Sequence, residues 1–259
     1  MVALAAAAAT TRRLRLGPLV CCNDFRHPAL LAKEAATLDR ISQGRLQLGL
    51  GAGWLVPDYE QTGLRMDPPS ERIERLSEAL DIVQGLFSNG PLSYEGRHYQ
   101  VRGLEGHPKP VQSPVPLYLG GGGRRMLTLA AERAQIVGVG LDLRRNEMCH
   151  IDFSAQACDR KLQWVREAAG PRFARLDLSL LLHDVRLTDD CEAAYRELAE
   201  QMETPLEVVR ESPVVLVGSH EAVVEQLVQR RQRWGINEWV VRDAHLQLFA
   251  PIVARLHGR

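Results

Sequence analysis

Leu46-Gln47-Leu48-Gly49-Leu50-Gly51-Ala52-Gly53-Trp54 is the stretch that says most about how this chain folds. Its alternation has period two, so Leu46, Leu48 and Leu50 share one face of a strand and Gln47, Gly49 and Gly51 the other. A row of leucines suits packing against covering helices. Glycine in a strand loses packing and costs backbone entropy, so several in register make room for something close by. Two readings follow. Either a flat ligand lies at the C-terminal end of this strand with Trp54 as a wall, or a crowded interior admits only small residues there.

Working outward, the elements alternate. Upstream, Val2 to Thr11 is helical by composition, and Leu14 to Cys21 (LRLGPLVC) reads as a strand with Pro18 as an anomaly inside it. Pro28 to Ile41 is a helix with Pro28 in the first turn and a stripe of Leu31, Ala35, Leu38 and Ile41. Downstream, Pro57 to Pro116 is a long excursion. It holds an amphipathic helix over about Ser70 to Phe87 and a hairpin around Tyr94, Glu95-Gly96 and Tyr99. Strand Leu117 to Gly120, helix Arg125 to Arg133 and strand Ile136 to Gly140 come next, then a long helix over roughly Asn146 to Ala169. Strand Leu176 to Val185, helix Asp190 to Met202, the segment Val214 to Gly218 and helix Glu221 to Trp234 follow. Strand Glu238 to Arg242 and helix Leu246 to Leu256 close the chain.

Short strands alternating with helices call for a parallel sheet covered by helices, closed as a barrel or open and doubly wound. No internal repeat or low-complexity linker marks a boundary, so a single domain over residues 1–259 is expected, with an insertion at about 55–116. A length of 259 residues matches a (β/α)8 barrel of about 250. Once the insertion is set aside, however, six strands remain where a barrel needs eight.

Composition narrows the function classes. Hydrophobic residues make up 45% and charged residues 25%, and 32 basic side chains balance 32 acidic ones. That balance argues against nucleic acid and against a polybasic membrane anchor as partners. No apolar run approaches the roughly 18 residues of a spanning helix. The apolar opening lacks the basic residues of a signal peptide. Five scattered cysteines show no C-x-x-C pair and no zinc-ligand spacing, so no metal is expected, and reduced thiols point to the cytoplasm.

Two further motifs can carry chemistry. Leu119-Gly120-Gly121-Gly122-Gly123-Arg124-Arg125 runs from a strand through a Gly-rich turn into a helix. Amide groups at a helix N-terminus with two guanidiniums form a phosphate cradle, although four glycines also make a tight strand-to-helix connection. Asn23 and Asp24 lie just after the first strand, where they either orient a ligand or serve as turn and cap residues. His183 ends a strand and reads more readily as a packed histidine than a catalytic one. The run Arg230-Arg231-Gln232-Arg233 reads as a solvated helix face. No G-x-S-x-G, H-E-x-x-H or Cys-His pattern is present, so no catalytic residue is assigned.

The segments HPALLAKEAATLDRISQGRLQLGLGAGW (His27 to Trp54), Tyr59-Glu60 with Gly63, PVPLYLGGGGRRMLTLAAERAQIVG (Pro114 to Gly138) and Gly218 to Gly235 resemble the luciferase-like monooxygenase superfamily. The likeness is strongest to its branch of oxidoreductases dependent on the deazaflavin coenzyme F420. It implies a TIM-barrel-like α/β fold with an insertion after the strand that ends in G-x-G-W. It also implies a flavin or deazaflavin at the C-terminal strand ends. Gly51, Gly53 and Trp54 would then lie beside the ring system, and Asn23 and Asp24, read above as able to orient a ligand, are kept as candidate cofactor-binding residues. Gly121, Gly122, Gly123, Arg124 and Arg125 would hold the phosphate, and Gly138 and Gly140 would line the cofactor's tail.

The same likeness implies a bulge of unusual peptide geometry in the first strand, near Pro18, where relatives often have Thr. Gln135 stands where relatives often have Asp. Relatives begin with two further strands, the second ending in an Asp-His pair, so a barrel incomplete at its N-terminus is expected. Open sheet edges would then point to a homodimer. The expected activity is hydride transfer between reduced F420 and a small organic substrate. The alternatives are an FMN-dependent monooxygenase served by a separate reductase and a shortened, non-catalytic flavin-binding protein.

Overall fold

A computed structural model describes residues 1–142 and 150–256. The chain divides into two compact units. One comprises Met1–Leu119 with Arg133–Gln135, the other Gly120–Glu132 with the chain from Ile136 onward.

The first unit runs α1 (Val2–Thr10), β1 (Cys21–Cys22), α2 (Pro28–Ile41), β2 (Leu48–Gly51), α3 (Val56–Thr62), α4 (Pro69–Phe87), β3 (Pro91–Glu95), β4 (Gln100–Glu105) and the start of β5 (Leu117–Gly121). Strand β2 is parallel to both β1 and β5, with Leu50 opposite Cys21 and Leu119. Helix α2 forms where expected. Pro28 opens it, His27 Nδ1 accepts from the Ala29 amide at 3.2 Å, and Leu31, Ala35 and Leu38 are buried. Gln43 and Gly44 then turn the chain with φ of 57° and 79°, a region glycine enters without strain. The leucines of β2 are fully buried with Leu76, Leu80 and Val83 of α4. The buried Asp39 carboxylate accepts from the amides of Val111 (2.7 Å) and Gln112 (2.9 Å). It thereby joins the end of α2 to the chain approaching β5. Strands β3 and β4 form the expected hairpin, held to α4 by Glu78, which accepts from the amides of Arg97, His98 and Tyr99 at 2.8–3.1 Å.

The strand expected over Leu14 to Cys21 is not continuous. Leu16 makes a single bridge to Leu46, and regular pairing resumes only at Cys21–Cys22. Gly17 and Pro18 stand in the gap, where proline has no N–H to give a ladder. The Leu19–Val20 peptide next to them is cis, in the place where the family likeness implied unusual peptide geometry.

The second unit holds α5 (Arg124–Arg133, up to Glu132), β6 (Ile136–Val139), α6 (Ala155–Ala169), β7 (Asp177–Leu181), β8 (Asp184–Leu187), α7 (Cys191–Gln201), α8 (Leu206–Glu211), β9 (Val215–Gly218), α9 (His220–Trp234), β10 (Glu238–Val240) and α10 (Leu246–Leu256). Strand β7 is parallel to both β6 and β10, and β8 is parallel to β9. Leu182, Val185, Leu216, Val223, Leu227, Phe249 and Ile252 form one apolar cluster beneath α9 and α10.

Four expectations need correction here. The strand expected over Leu176 to Val185 splits because it changes partner: the Leu182 amide bonds to Val240 O at 2.9 Å, and the His183 amide to Val214 O at 2.7 Å. The helix expected from Asn146 starts at Ala155, where Ser154 Oγ caps it by accepting from the Ala157 amide at 3.1 Å; residues 143–149 lie outside the described ones. Helices α3 and α8 were not anticipated, since seven and six residues are too few to show a period. Arg230 is not on a solvated face. It is buried, and its guanidinium donates to the carbonyls of Ser212 and Pro213, at 3.0 Å each, and of Val215. Burial pushes its pKa down to about 10.

Candidate functional site

In the first unit the candidate residues gather around two arginines of α4 spaced three apart, so that both sit on one helix face. Arg72 is buried and donates to the carbonyls of Asp67 (2.9 Å), Ala52 (3.1 Å) and Gly53. It thereby fixes the loop that follows β2. Arg75 fixes the loop that follows β1. Its Nε lies 2.9 Å from Asp24 Oδ1, an ion pair without hydrogen-bond alignment, and its Nη2 reaches Asp67 Oδ2 at 3.0 Å. The Tyr59 hydroxyl donates to Asp24 Oδ2 at 2.8 Å and lies 3.5 Å from Cys22 Sγ. Burial, with the bonds to Cys22 and Asp24, raises the Tyr59 pKa, so the phenol stays protonated.

Asn23 and Asp24 fall in a short 3-10 turn at the end of β1, and His27, not either of them, caps α2. Asn23 is 1% exposed, and its Nδ2 donates to the Tyr99 hydroxyl at 3.0 Å. Its Oδ1 has no partner among the described residues. A buried acceptor left this way costs about 1–3 kcal/mol. Gly53 has φ of 79°, and a Cβ there would lie 2.0 Å from the Tyr59 hydroxyl. Trp54 is 57% exposed. At Gly51 a Cβ would come within 2.6 Å of Val20 Cγ2, and at Gly49 within 2.0 Å of Pro18 O. The glycine face of β2 is therefore filled by the irregular segment before β1, which favours the crowded reading at these two positions.

In the second unit the Gly-rich turn leads into α5. The first helical bond runs from the Leu127 amide to Gly123 O at 3.1 Å, so the amides ahead of Leu127 have no helical acceptor. Arg124 and Arg125 are exposed beside them, Arg124 in an ion pair with Glu167 at 3.3 Å. Gly122 is needed for close approach, since a Cβ there would lie 2.2–2.3 Å from the backbone of Leu141 and Asp142. The Gly140 amide bonds to Gly121 O at 2.9 Å, which brings Gly140 against the turn. Beneath it, buried Lys161 donates to Gly140 O at 2.8 Å and to Asp152 Oδ2 at 2.6 Å. Gly138 is buried in β6, opposite Ser179.

An open groove of about 330 Å3 lies elsewhere in this unit, lined by residues including Tyr195, Arg210, Arg230 and Trp234. Arg230 ties it to the start of β9, the strand end that in barrels serves stability. Among the described residues no group of three or more His, Cys, Asp or Glu could hold a metal, and no helix is long and apolar enough to cross a membrane.

The sequence reading named Asn23, Asp24, Gly51, Gly53 and Trp54 but missed Arg72, Arg75 and Tyr99, which position them. The available signal was two arginines three apart on a helix whose other face is apolar.

The model of the luciferase-like monooxygenase family matches residues 1–148. This chain belongs to that family. It is 35% identical over 133 residues to the F420-dependent glucose-6-phosphate dehydrogenase of Microbacterium testaceum, a match covering 51% of this chain and 39% of that protein. The matched region thus spans well under half of that relative's length. Among solved structures, the coenzyme F420-dependent tetrahydromethanopterin reductase of Methanopyrus kandleri superposes with a TM-score of 0.72 at 20% identity, covering 92% of this chain and 79% of that one. The EDTA monooxygenase of Chelativorans gives 0.75 at 18% identity, covering 98% and 75%. These likenesses bear out the TIM-barrel-like α/β fold class expected from the sequence. The family's relatives include both oxidoreductases and monooxygenases.

Proposed function

We propose that this chain is an oxidoreductase that works with coenzyme F420 on a small organic substrate. The observation that carries the proposal is the 35% identity, over 133 residues, to an F420-dependent dehydrogenase. When bound, the deazaflavin would supply the hydride chemistry.

The chain's own residues fit such a group. Amides ahead of Leu127 that have no helical acceptor, with the guanidiniums of Arg124 and Arg125, suit a phosphate at Gly121, Gly122 and Gly123. The unpartnered Asn23 Oδ1 and the exposed Trp54 suit a flat, polar ring. Arg72 and Arg75 hold the loops that carry Trp54 and Asp24, so α4 acts as the positioning element. Free thiols at Cys21, Cys22, Cys158 and Cys191 support a reducing, cytoplasmic setting, and we take the working form to be a homodimer.

Both F420 and FMN carry a phosphate, so the turn alone does not discriminate between them. Anaerobic titration of the full chain with each reduced cofactor does. F420 is expected to bind at least tenfold tighter. Tight binding of FMN alone would overturn the assignment in favour of a monooxygenase served by a separate reductase. Binding of either without turnover of any substrate would favour a non-catalytic flavin-binding protein.

A further inference from the structure

Strands β6, β7 and β10 lie in register, with Gly138 beside Ser179 beside Glu238, and Leu181 beside Val240. Paired residues of parallel strands share a face. The last bond between β7 and β10, from the Leu182 amide to Val240 O at 2.9 Å, leaves His183 and Arg242 just beyond adjacent strand ends, and Gly140 lies just beyond the end of β6. Leu178, Leu180 and Leu182 take the other face of β7, where Leu182, Trp239 and Val241 join the apolar cluster under α9 and α10. The face bearing Ser179 and Leu181 takes no part in that cluster.

Independent features mark this face as built for a ligand. Ser179 is fully buried, yet its Oγ has no partner among the described residues. Gly140 leaves room, because a Cβ there would meet nothing nearer than the Gly121 backbone at 3.4 Å. Leu181 is 37% exposed at the strand end. Arg242 is exposed and makes no ion pair among the described residues. His183 is half-buried, edge-on to Phe153 at 5.1 Å. Burial, then the charge of Arg242, lowers its pKa, and Asp184 opposes them only in part, so its imidazole is neutral at pH 7 and donates one N–H. Asp184 is itself paired with Arg186 at 3.1 Å.

The geometry points to a substrate subsite for the carboxylate of a small organic acid at the C-terminal ends of β6, β7 and β10. Arg242 and His183 hold the carboxylate there, and Leu181, opened by Gly140, carries the apolar part. The inference rests on the oxidoreductase reading, in which substrate meets the C-terminal strand ends. A guanidinium fork matches a planar carboxylate with two parallel bonds.

The test is titration of the full chain with benzoate while the His183 imidazole is followed by NMR, assigned with His183→Gln. A carboxylate in this seat favours the charged imidazole and raises its midpoint by roughly one pH unit. Arg242→Gln should weaken benzoate roughly tenfold with an unchanged melting temperature, and Arg242→Lys should recover part of the loss. An unmoved His183 midpoint, equal binding of neutral benzyl alcohol, or undiminished binding by Arg242→Gln would each overturn the subsite. F420 titration of the same samples separates the two claims. Lost F420 binding with an intact benzoate response would remove the proposed function and leave the seat, and the reverse would remove the seat alone.

Discussion

Gly49 and Gly51 in β2, and Gly140 just beyond β6, read alike in sequence: each is a glycine on an alternating strand near its C-terminal end. Their surroundings differ. A Cβ at Gly49 would stand 2.0 Å from Pro18 O and one at Gly51 2.6 Å from Val20 Cγ2, whereas at Gly140 the nearest atom is 3.4 Å away. In the first unit glycine makes room for the chain's own irregular first strand. In the second, Gly140 leaves clearance at the end of β6, the strand that pairs with the one bearing the unpartnered Ser179 hydroxyl. A strand glycine therefore reports close approach, and only its neighbours tell whether protein or ligand does the approaching.

The largest expected effect breaks this comparison directly. Gly49→Ala pushes a methyl into backbone that has no rotamer to yield, and should cost about 3 kcal/mol by urea unfolding. Gly140→Ala should cost under about 1 kcal/mol, as at any site where a methyl meets ordinary contact distances. Equal losses at the two positions would end the distinction between filled and clear glycines.

Arg72→Met comes next. It keeps the bulk of the stem but leaves the buried carbonyls of Asp67, Ala52 and Gly53 without their donor. A loss of roughly 2–3 kcal/mol is expected. F420 affinity should fall further than stability does, since the Gly53-Trp54 loop is then unheld. Wild-type affinity in a destabilised variant would show that Arg72 supports the fold alone. Tyr59→Phe is milder. It removes one hydroxyl donor to the Asp24 carboxylate, while Arg75 remains beside it, and should cost about 1.5 kcal/mol.

These sites differ in how far the sequence revealed them. The period-two leucines of β2 and the stripe Leu31, Ala35, Leu38 are local patterns, and the structure forms both elements where those patterns lie. The Gly-rich turn was visible because strand, glycines and helix follow one another in the chain. What could not be read was anything set by partners distant in sequence. The clamp of Arg72 on Gly53 joins residues 19 apart, and the bond from Asn23 to Tyr99 spans 76 positions. The division of one expected strand into β7 and β8 follows from a change of partner at Leu182 and His183, which leaves no mark on periodicity. Arg230 misled for the same reason, because a charge run carries no sign of the carbonyls waiting for one of its members.

The smallest effect belongs to His183, and it sharpens the account of the second unit. Burial, then the charge of Arg242, lowers its pKa in the folded chain below the ordinary 6.5. The unfolded state then binds more protons across that interval, so stability rises with pH there. Any contribution from His183 is thus fully present above about pH 7 and lost as pH falls through the unfolded midpoint toward the folded one. The melting temperature of the wild type, compared with His183→Gln between pH 7.5 and pH 5, should show a modest extra fall on the acid side. Benzoate should abolish that extra fall, because a carboxylate in the seat returns the folded midpoint toward the unfolded one. A wild type that tracks the variant at every pH would mean that His183 is solvated. Its tie to Arg242, and with it the contrast between the clear face of β7 and the filled face of β2, would then fail.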